Sequence, residues 1–408
     1  MASVRQIVAF LTLVLPALSG PLSKNADKPE SIRNKYIVRV APGTVETEFE
    51  SHLSWVATVT SRKRGPIRER STGIEKKFNI GDFKAYSGEF DAETIAKIKK
   101  DGHVVAVEPD QVVKVTALTR QPAAPWGVAS LSSKTPLRDG GRSTSTYVYN
   151  SQAGQGTFAY VLDSGVTTAH AQFQGRGVKG YNAWPAYAFE DEFGHGTHVA
   201  GIIGAAKYGV AKKSTVVDVK IVRGLGYSTV AHCLDGYNWA VNNITNTPGR
   251  VAKSVINMSV AFPRSEAMNS AIDAAFDLGV TTVVGAGNDG QDASGTSPAS
   301  AGRAITVGAV AWNRSRSDWS NYGPAVDVFA PGVDIPSLWK ELDSADKLVS
   351  GTSMATPHVA GLVSYLQSVH SLANAAAVVK KLNELALKGV VGNPGAGSSN
   401  ALAFNGAV

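Results

Sequence analysis

Two hydrophobic rhythms divide the chain. From Asn34 to about Gln111, short alternating segments are interleaved with helical spacing. Lys35-Tyr-Ile-Val-Arg-Val40 alternates apolar and polar positions like a half-buried strand, and so does the stretch from Phe83 to Phe90. Val45 to Val59 has helical spacing. Asp91 is placed to cap a second helix running through Lys100, and Val104 to Val107 closes with a further strand. Strand, helix, strand, helix, strand is the outline of a small α+β, ferredoxin-like module. The segment from Thr116 to Pro125 holds Pro122 and Pro125, shows no period and reads as a linker.

Beyond that segment the rhythm changes. Apolar runs at 157–162, 216–222, 253–258, 280–284 and 305–307 alternate with helical stretches at 199–206, 228–242 and 265–278. Continuous apolar strands separated by helices predict an α/β domain whose mostly parallel sheet is covered on both faces. Ligand sites in such sheets lie at the carboxyl ends of the strands.

Length and composition fit this picture. The chain has 408 residues, 43% of them hydrophobic, enough for more than one folding unit. Its 41 glycines follow no period, which excludes collagen-like and low-complexity chains. No run is long enough to span a bilayer, so no membrane partner is expected. The net charge of +7 is scattered, except for Arg62-Lys63-Arg64 continued by Arg68 and Arg70. That run reads as a solvated loop or a processing site. Without interleaved aromatics or a recognisable module, no nucleic-acid partner is expected. Residues 1–20 read as a signal peptide: Arg5, an apolar core from Ile7 to Leu15, then small residues at Ala17-Leu18-Ser19. The protein is therefore expected to be secreted. Its one cysteine, Cys233, cannot pair within the chain and is expected to be a small buried apolar group in the 228–241 helix. No segment signals oligomerisation, and a monomer is expected.

Four short stretches carry candidate chemistry. Ala159-Tyr-Val-Leu-Asp-Ser-Gly-Val166 ends an apolar strand in Asp163, at the active edge of the sheet, although such aspartates also cap turns. Gly194-His-Gly-Thr-His-Val-Ala-Gly201 places His195 at a helix start. His195 and His198 lack the i, i+4 spacing and intervening glutamate of a zinc protease helix, and His198 reads as a structural ring turned inward. Val349-Ser-Gly-Thr-Ser-Met-Ala-Thr-Pro-His358 moves from a loop into an apolar helix. Pro357 is tolerable only near the start of that helix, so the helix begins close to Ser353 and its N-terminus aims the Ser353 hydroxyl. A serine needs a base and histidine can serve; a carboxylate then fixes the ring's tautomer. Val283-Val-Gly-Ala-Gly-Asn288 offers Asn288 as an oxyanion donor beside the Ser353 N–H, or as a simple turn residue.

Asp163-Ser-Gly, His195-Gly-Thr-His-Val-Ala-Gly, Ala286-Gly-Asn288 and Gly351-Thr-Ser-Met-Ala-Thr-Pro-His358 together resemble the subtilisin-like serine proteases, in particular their secreted fungal, proteinase K-like branch. The resemblance implies a three-layer subtilisin-like peptidase domain over 117–408 that cleaves protein or peptide substrates. It makes Asp163, His195 and Ser353 the catalytic residues and Asn288 the oxyanion donor. Residues 21–116, with a core at 34–113, would be an inhibitory propeptide of the I9 type, removed by self-cleavage near Ala117. Peptide substrate would lie between an edge strand at Gly224, Leu225 and Gly226 and another at Ser259, Val260 and Ala261, with Ala286 and Gly287 also binding substrate. A structural Ca²⁺ would be held by Asp327 with the carbonyls of Gly302 and Ala304.

Two departures bear on specificity. Ala261 and Phe262 stand where the family usually has glycines, and Pro263 removes a backbone donor. The segment Gly224-Leu-Gly-Tyr-Ser228 is one residue shorter than usual. These altered walls leave open a non-catalytic scaffold that acts by binding. An α/β-hydrolase is disfavoured, because Ser353 lacks a Gly-x-Ser-x-Gly elbow and the order of residues differs. Asn243-Ile-Thr and Asn313-Arg-Ser are glycosylation acceptors in a secreted chain, whereas Asn257-Met-Ser lies in an apolar strand.

Overall fold

The computed structural model describes residues 31–61, 73–111, 118–138, 145–341 and 346–407. The signal-peptide segment, the basic run at 62–70 and the expected cleavage region at 116–117 lie outside these residues. The chain divides into two compact units, Met1–Lys114 and Val115–Val408.

The first unit contains β1 (Ser31–Val40), α1 (Glu46–Ser61), β2 (Gly73–Ile80), β3 (Phe83–Glu89), α2 (Ala92–Ile98) and β4 (Val104–Gln111). Its strands form an antiparallel sheet in the order β2-β3-β1-β4. Val38, Phe49, Val56, Tyr86, Phe90 and Ile98 form its core. Asp91 caps α2 as expected, accepting from the Thr94 N–H at 2.7 Å. Three of these strands are predicted by the hydrophobic pattern, and β2 is not. Its Gly-Ile-Glu-Lys-Lys-Phe-Asn-Ile sequence lies at the sheet edge, largely exposed, and shows no clean alternation.

The second unit opens with β5 (Leu118–Gln121), α3 (Trp126–Ser130), β6 (Tyr147–Asn150), β7 (Phe158–Asp163), β8 (Gly177–Asn182), α4 (His195–Gly204) and β9 (Thr215–Lys220). It continues through α5 (Val230–Thr245), β10 (Ser254–Met258), β11 (Phe262–Pro263), α6 (Glu266–Asp277), β12 (Thr281–Gly285), β13 (Thr296–Ser297), β14 (Ile305–Val310) and β15 (Val328–Pro331). It ends with β16 (Ile335–Leu338), β17 (Asp346–Val349), α7 (Thr352–Val369), α8 (Ala375–Leu385), β18 (Leu387–Lys388) and β19 (Ala401–Leu402). Nine strands form one sheet in the order β18-β19-β15-β14-β12-β10-β7-β9-β8, parallel except at the β18–β19 edge.

Period-two alternation sends successive residues of the central strands into two separate cores. Ala159, Val161, Val255 and Val283 pack with Val199 of α4 and Met354 of α7. Tyr160, Leu162, Ile256 and Val284 pack with Tyr237 of α5 and Met268 of α6. Burying each large apolar side chain contributes roughly 1.5–3 kcal/mol. A one-residue slip of a central strand would misplace both rows at once, so the register is tightly specified.

The linker reading fails where it can be checked. Leu118–Gln121 is strand β5, paired antiparallel with β6 in the second unit. Four residues with alternate ones exposed are too short to show a period.

Candidate active site

Asp163 is the last residue of β7, an interior strand of the sheet, and is 2% exposed. His195 is the first residue of α4. Its Nδ1 lies 2.7 Å from Asp163 Oδ1, and its side chain is a fifth exposed. Two glycines permit this approach. Gly194 has φ 97°, and a Cβ on Gly196 would sit 2.1 Å from the Gly165 carbonyl oxygen, so α4 could not come this close to the β7 turn. Burial pulls the imidazolium of His195 down. The charge and hydrogen bond of Asp163, with Asp191 behind, outweigh it and hold the pKa above the ordinary 6.5.

Ser353 is the second residue of α7. Its Oγ donates to the Ser259 carbonyl at 3.2 Å, and Ser259 Oγ donates back to the Ser353 carbonyl at 3.0 Å. The return bond follows from Pro357 in the second turn of α7, a helix that begins at Thr352, close to Ser353 as the sequence suggested. Proline has no N–H for the carbonyl four residues earlier, which is that of Ser353, and Ser259 supplies the donor instead.

Asn288 follows β12 and is exposed. Its Oδ1 accepts from the Thr352 N–H at 2.8 Å and from Thr352 Oγ1 at 2.9 Å. Both partners are donors, so the amide is fixed with Nδ2 on its other side. A Cβ placed on Gly351 would stand 3.8 Å from Asn288 Nδ2 and 3.6 Å from the Ser353 nitrogen. Both donors thus lie beside the position a side chain on residue 351 would take.

The cleft beside His195 has a volume of about 430 Å³ and includes Ser259, Val260, Ala261 and Phe262 in its lining. Phe262–Pro263 pairs with Thr296–Ser297, which anchors this wall. The opposite wall differs from expectation. Gly224, Leu225 and Gly226 are not an extended edge strand; they form a turn closed by reciprocal backbone bonds between Arg223 and Tyr227 at 2.9 and 3.0 Å. Positive φ at Gly224 and Gly226 bends the chain and leaves Leu225 85% exposed at the tip. Ala286 and Gly287 are also not exposed lining. Both are buried, with the Ala286 carbonyl held by Asn321 Nδ2 and the Gly287 N–H by Thr352 Oγ1. They set the position of Asn288.

His198 is buried, its Nε2 near the carbonyls of Ile335 and Lys347, and burial lowers its pKa to about 4. It is the structural ring the sequence suggested. Cys233 is buried and borders the cleft, 3.6 Å from Ser228 Oγ. Asn243 lies half-buried in α5 with Oδ1 accepting from the Tyr160 hydroxyl, whereas Asn313 is exposed in a turn.

Four supporting residues escaped the sequence analysis. Asp191 accepts from Ser164 Oγ, the Gly194 N–H and Thr197 N–H and Oγ1, at 2.6–2.9 Å. It thereby ties the loop after Asp163 to the first turn of α4. Lys220, fully buried, donates to the carbonyls of Ser164 and Glu190 at 2.8 and 2.9 Å. Thr352 orients Asn288, and Ser164 links Asp191 to the Gly196 N–H. The Asp191-x-x-Gly194-His195 spacing was the one local signal available.

Asp327 immediately precedes β15, beside the loop carrying Gly302 and Ala304 before β14. The Thr306 N–H donates to its Oδ2 at 2.8 Å, and burial of the carboxyl group raises its pKa to about 6 although the residue's flank is exposed. Among the described residues it makes no ion pair, and such a carboxylate is an oxygen ligand of the kind a hard cation such as Ca²⁺ takes.

Residues 154–396 match the subtilase family, and residues 35–116 match peptidase inhibitor I9. The chain is 46% identical to subtilisin-like proteinase Mp1 of Magnaporthiopsis poae, over all of this chain and 99% of that protein. It is 45% identical to alkaline protease 1 of Emericella nidulans, over the full length of both. The crystal structure of a cold adapted subtilisin-like serine proteinase superposes with a TM-score of 0.63 at 38% identity, covering 69% of this chain and 98% of that one. The chain belongs to the subtilase family, as a serine endopeptidase preceded by an I9 inhibitor domain.

Proposed function

We propose that this endopeptidase is secreted as a self-processing zymogen and cleaves peptide bonds through Asp163, His195 and Ser353. The observation that supports the reading is the Asp163–His195 pair lining the same cleft as Ser259, whose carbonyl accepts from Ser353 Oγ. Substrate would draw Ser353 Oγ from the Ser259 carbonyl toward His195 Nε2. His195 takes the hydroxyl proton as Oγ attacks the peptide carbonyl. Asn288 Nδ2 and the Ser353 N–H hold the oxyanion, and His195 then passes the proton to the leaving amine. Water, activated by His195, hydrolyses the acyl-enzyme. Asp163 keeps the ring in the productive tautomer throughout.

The I9 domain serves as intramolecular inhibitor until cleavage near Ala117. Secretion is supported by the signal-peptide pattern of residues 1–20; among the described residues no helix is long and apolar enough to cross a membrane. Exposed Asn313 is the better placed glycan acceptor, with Asn243 second. Asp327, with the Gly302 and Ala304 carbonyls, would hold Ca²⁺ as a cross-link between neighbouring loops.

The test is the N-terminus and intact mass of the secreted protein with a serine-directed fluorophosphonate, beside Ser353→Ala. The expected result is a chain starting near Ala117 with one adduct, and a full-length, unlabelled variant. A second reading, a subtilisin-shaped binding scaffold, draws on the engagement of Ser353 Oγ by Ser259. It predicts a trimmed wild type that takes no adduct.

A further inference from the structure

The small unit carries a second cluster of chemically able side chains, which the proteolytic reading does not use. His52 lies on α1, and Asp101 and His103 lie in the turn between α2 and β4. One ligand atom from each, an imidazole nitrogen or a carboxylate oxygen, falls within 4.8 Å of the others. His52 Nδ1 and His103 Nδ1 approach the same oxygen, Asp101 Oδ1, at 3.5 and 3.1 Å. Neighbouring donors of a tetrahedral site with bonds near 2.0–2.1 Å stand roughly 3.3 Å apart, so these separations already suit a shared ion.

The decisive atom is His52 Nδ1. The His52 side chain is 1% exposed, and Nδ1 has no hydrogen-bond partner among the described residues. The other ring nitrogen, Nε2, lies 3.1 Å from the Tyr86 hydroxyl. With Nε2–H donating to Tyr86, the Nδ1 lone pair points at Asp101 and His103. A metal-bound histidine is typically arranged in this way, with its outer N–H held and its inner nitrogen free. Asp101 is positioned independently by the His103 N–H, which donates to Oδ1 at 2.9 Å. The three groups open into a cleft of about 360 Å³ that also includes Glu48 and Trp55 in its lining. Glu48, one turn before His52 on the same helix face, accepts from the Val45 N–H at 3.3 Å. The His103 side chain is half-exposed, which gives an ion a way in.

We infer that the I9 domain binds a divalent transition-metal ion of the Zn²⁺ class through His52, Asp101 and His103. Two imidazoles and one carboxylate favour zinc over calcium or magnesium, which prefer all-oxygen sites. The bound ion ties α1 to the turn before β4. It binds only the folded domain, so it stabilises that domain by mass action.

The test uses the full chain carrying Ser353→Ala, with its intact mass checked so that the domain is known to be attached. Equilibrium dialysis against Zn²⁺ in excess Ca²⁺ measures stoichiometry and affinity. One Zn²⁺ per chain is expected. His103→Ala and Asp101→Asn should each weaken binding by at least the ~10–100-fold that loss of an outer-shell partner costs. His370→Ala, an exposed histidine in the other unit, should bind like the parent. His103→Ala removes a half-exposed ring, and circular dichroism verifies its fold. Zinc should raise the melting temperature of the I9 domain in the parent and not in His103→Ala. Absence of zinc binding by the parent, or equal binding by a folded His103→Ala, overturns the inference.

Discussion

Asp163 places its Oδ1 2.7 Å from His195 Nδ1 and accepts from the Ser164 N–H at the same distance. The first contact sets the chemistry and the second sets the geometry. Because the pKa of His195 is raised, protonated His195 stabilises the fold below about pH 6.5, and that contribution is lost as pH rises through the raised value. In the proposed mechanism catalysis runs the other way, since His195 must be neutral to act as the base. kcat/KM should therefore climb with pH through a limb above 6.5. Asp163→Asn removes the two larger interactions that raise the pKa and leaves burial, which lowers it, against the weaker charge of Asp191. We predict about a 10⁴-fold loss of kcat and an acid limb shifted to lower pH, read from the pH profile of kcat/KM. An unshifted limb would mean that another group titrates there. In the proposed mechanism Asn288 supplies one oxyanion donor and the Ser353 N–H the other. Asn288→Ala should lower kcat by about 10²–10³ with little change in KM, the size of one such donor's effect in subtilisin itself.

The elements show why some of this was legible and some was not. Strands β7 and β12 are continuous apolar runs, so Asp163 and Asn288 could be placed at or just beyond strand ends from local pattern, while their roles came only with the family resemblance. His195 and Ser353 announce themselves through glycines and a proline at helix starts. Asp191, Lys220 and Thr352 gave little or no such signal, because their partners come from distant parts of the chain. The Gly224–Gly226 turn was misread for a related reason. Resemblance suggested an extended strand, while two positive-φ glycines and the Arg223–Tyr227 closure decided the conformation. Lys220 is the strongest case of an element-level device. It ends β9 and spans from Ser164 after β7 to Glu190 before α4. Glu192, its partly exposed ion partner at 3.4 Å, also receives the Gly224 N–H, and that bond leads the effects holding its carboxyl below the usual range. Lys220→Met leaves two carbonyls without donors, at about 1–3 kcal/mol each. The variant should melt several degrees lower and lose activity through displacement of the Asp163 loop. An unchanged melting temperature would show that the lysine does not hold this edge.

At the scale of the whole molecule, stability has to come without disulfides, since the chain has one cysteine. Two cores on either side of the nine-stranded sheet carry most of the load, and bound ions are the remaining source. Asp327 makes that source testable through its sign. Its pKa is raised from 3.8 to about 6 by burial, so ionising it without a cation costs stability as pH rises through that window. A bound cation reverses the cost and contributes about 2.7 kcal/mol at a hundredfold excess over Kd. Asp327→Asn keeps an acceptor for the Thr306 N–H and discards the charge. The two proteins should therefore cross over. In EGTA at pH 8 the variant should melt at or above the wild type; in excess Ca²⁺ the wild type should rise by several degrees and the variant should not. Parallel responses to calcium would place the ion elsewhere and leave Asp327 a strained carboxylate, held in place by the register of β14 against β15 and by nothing it binds.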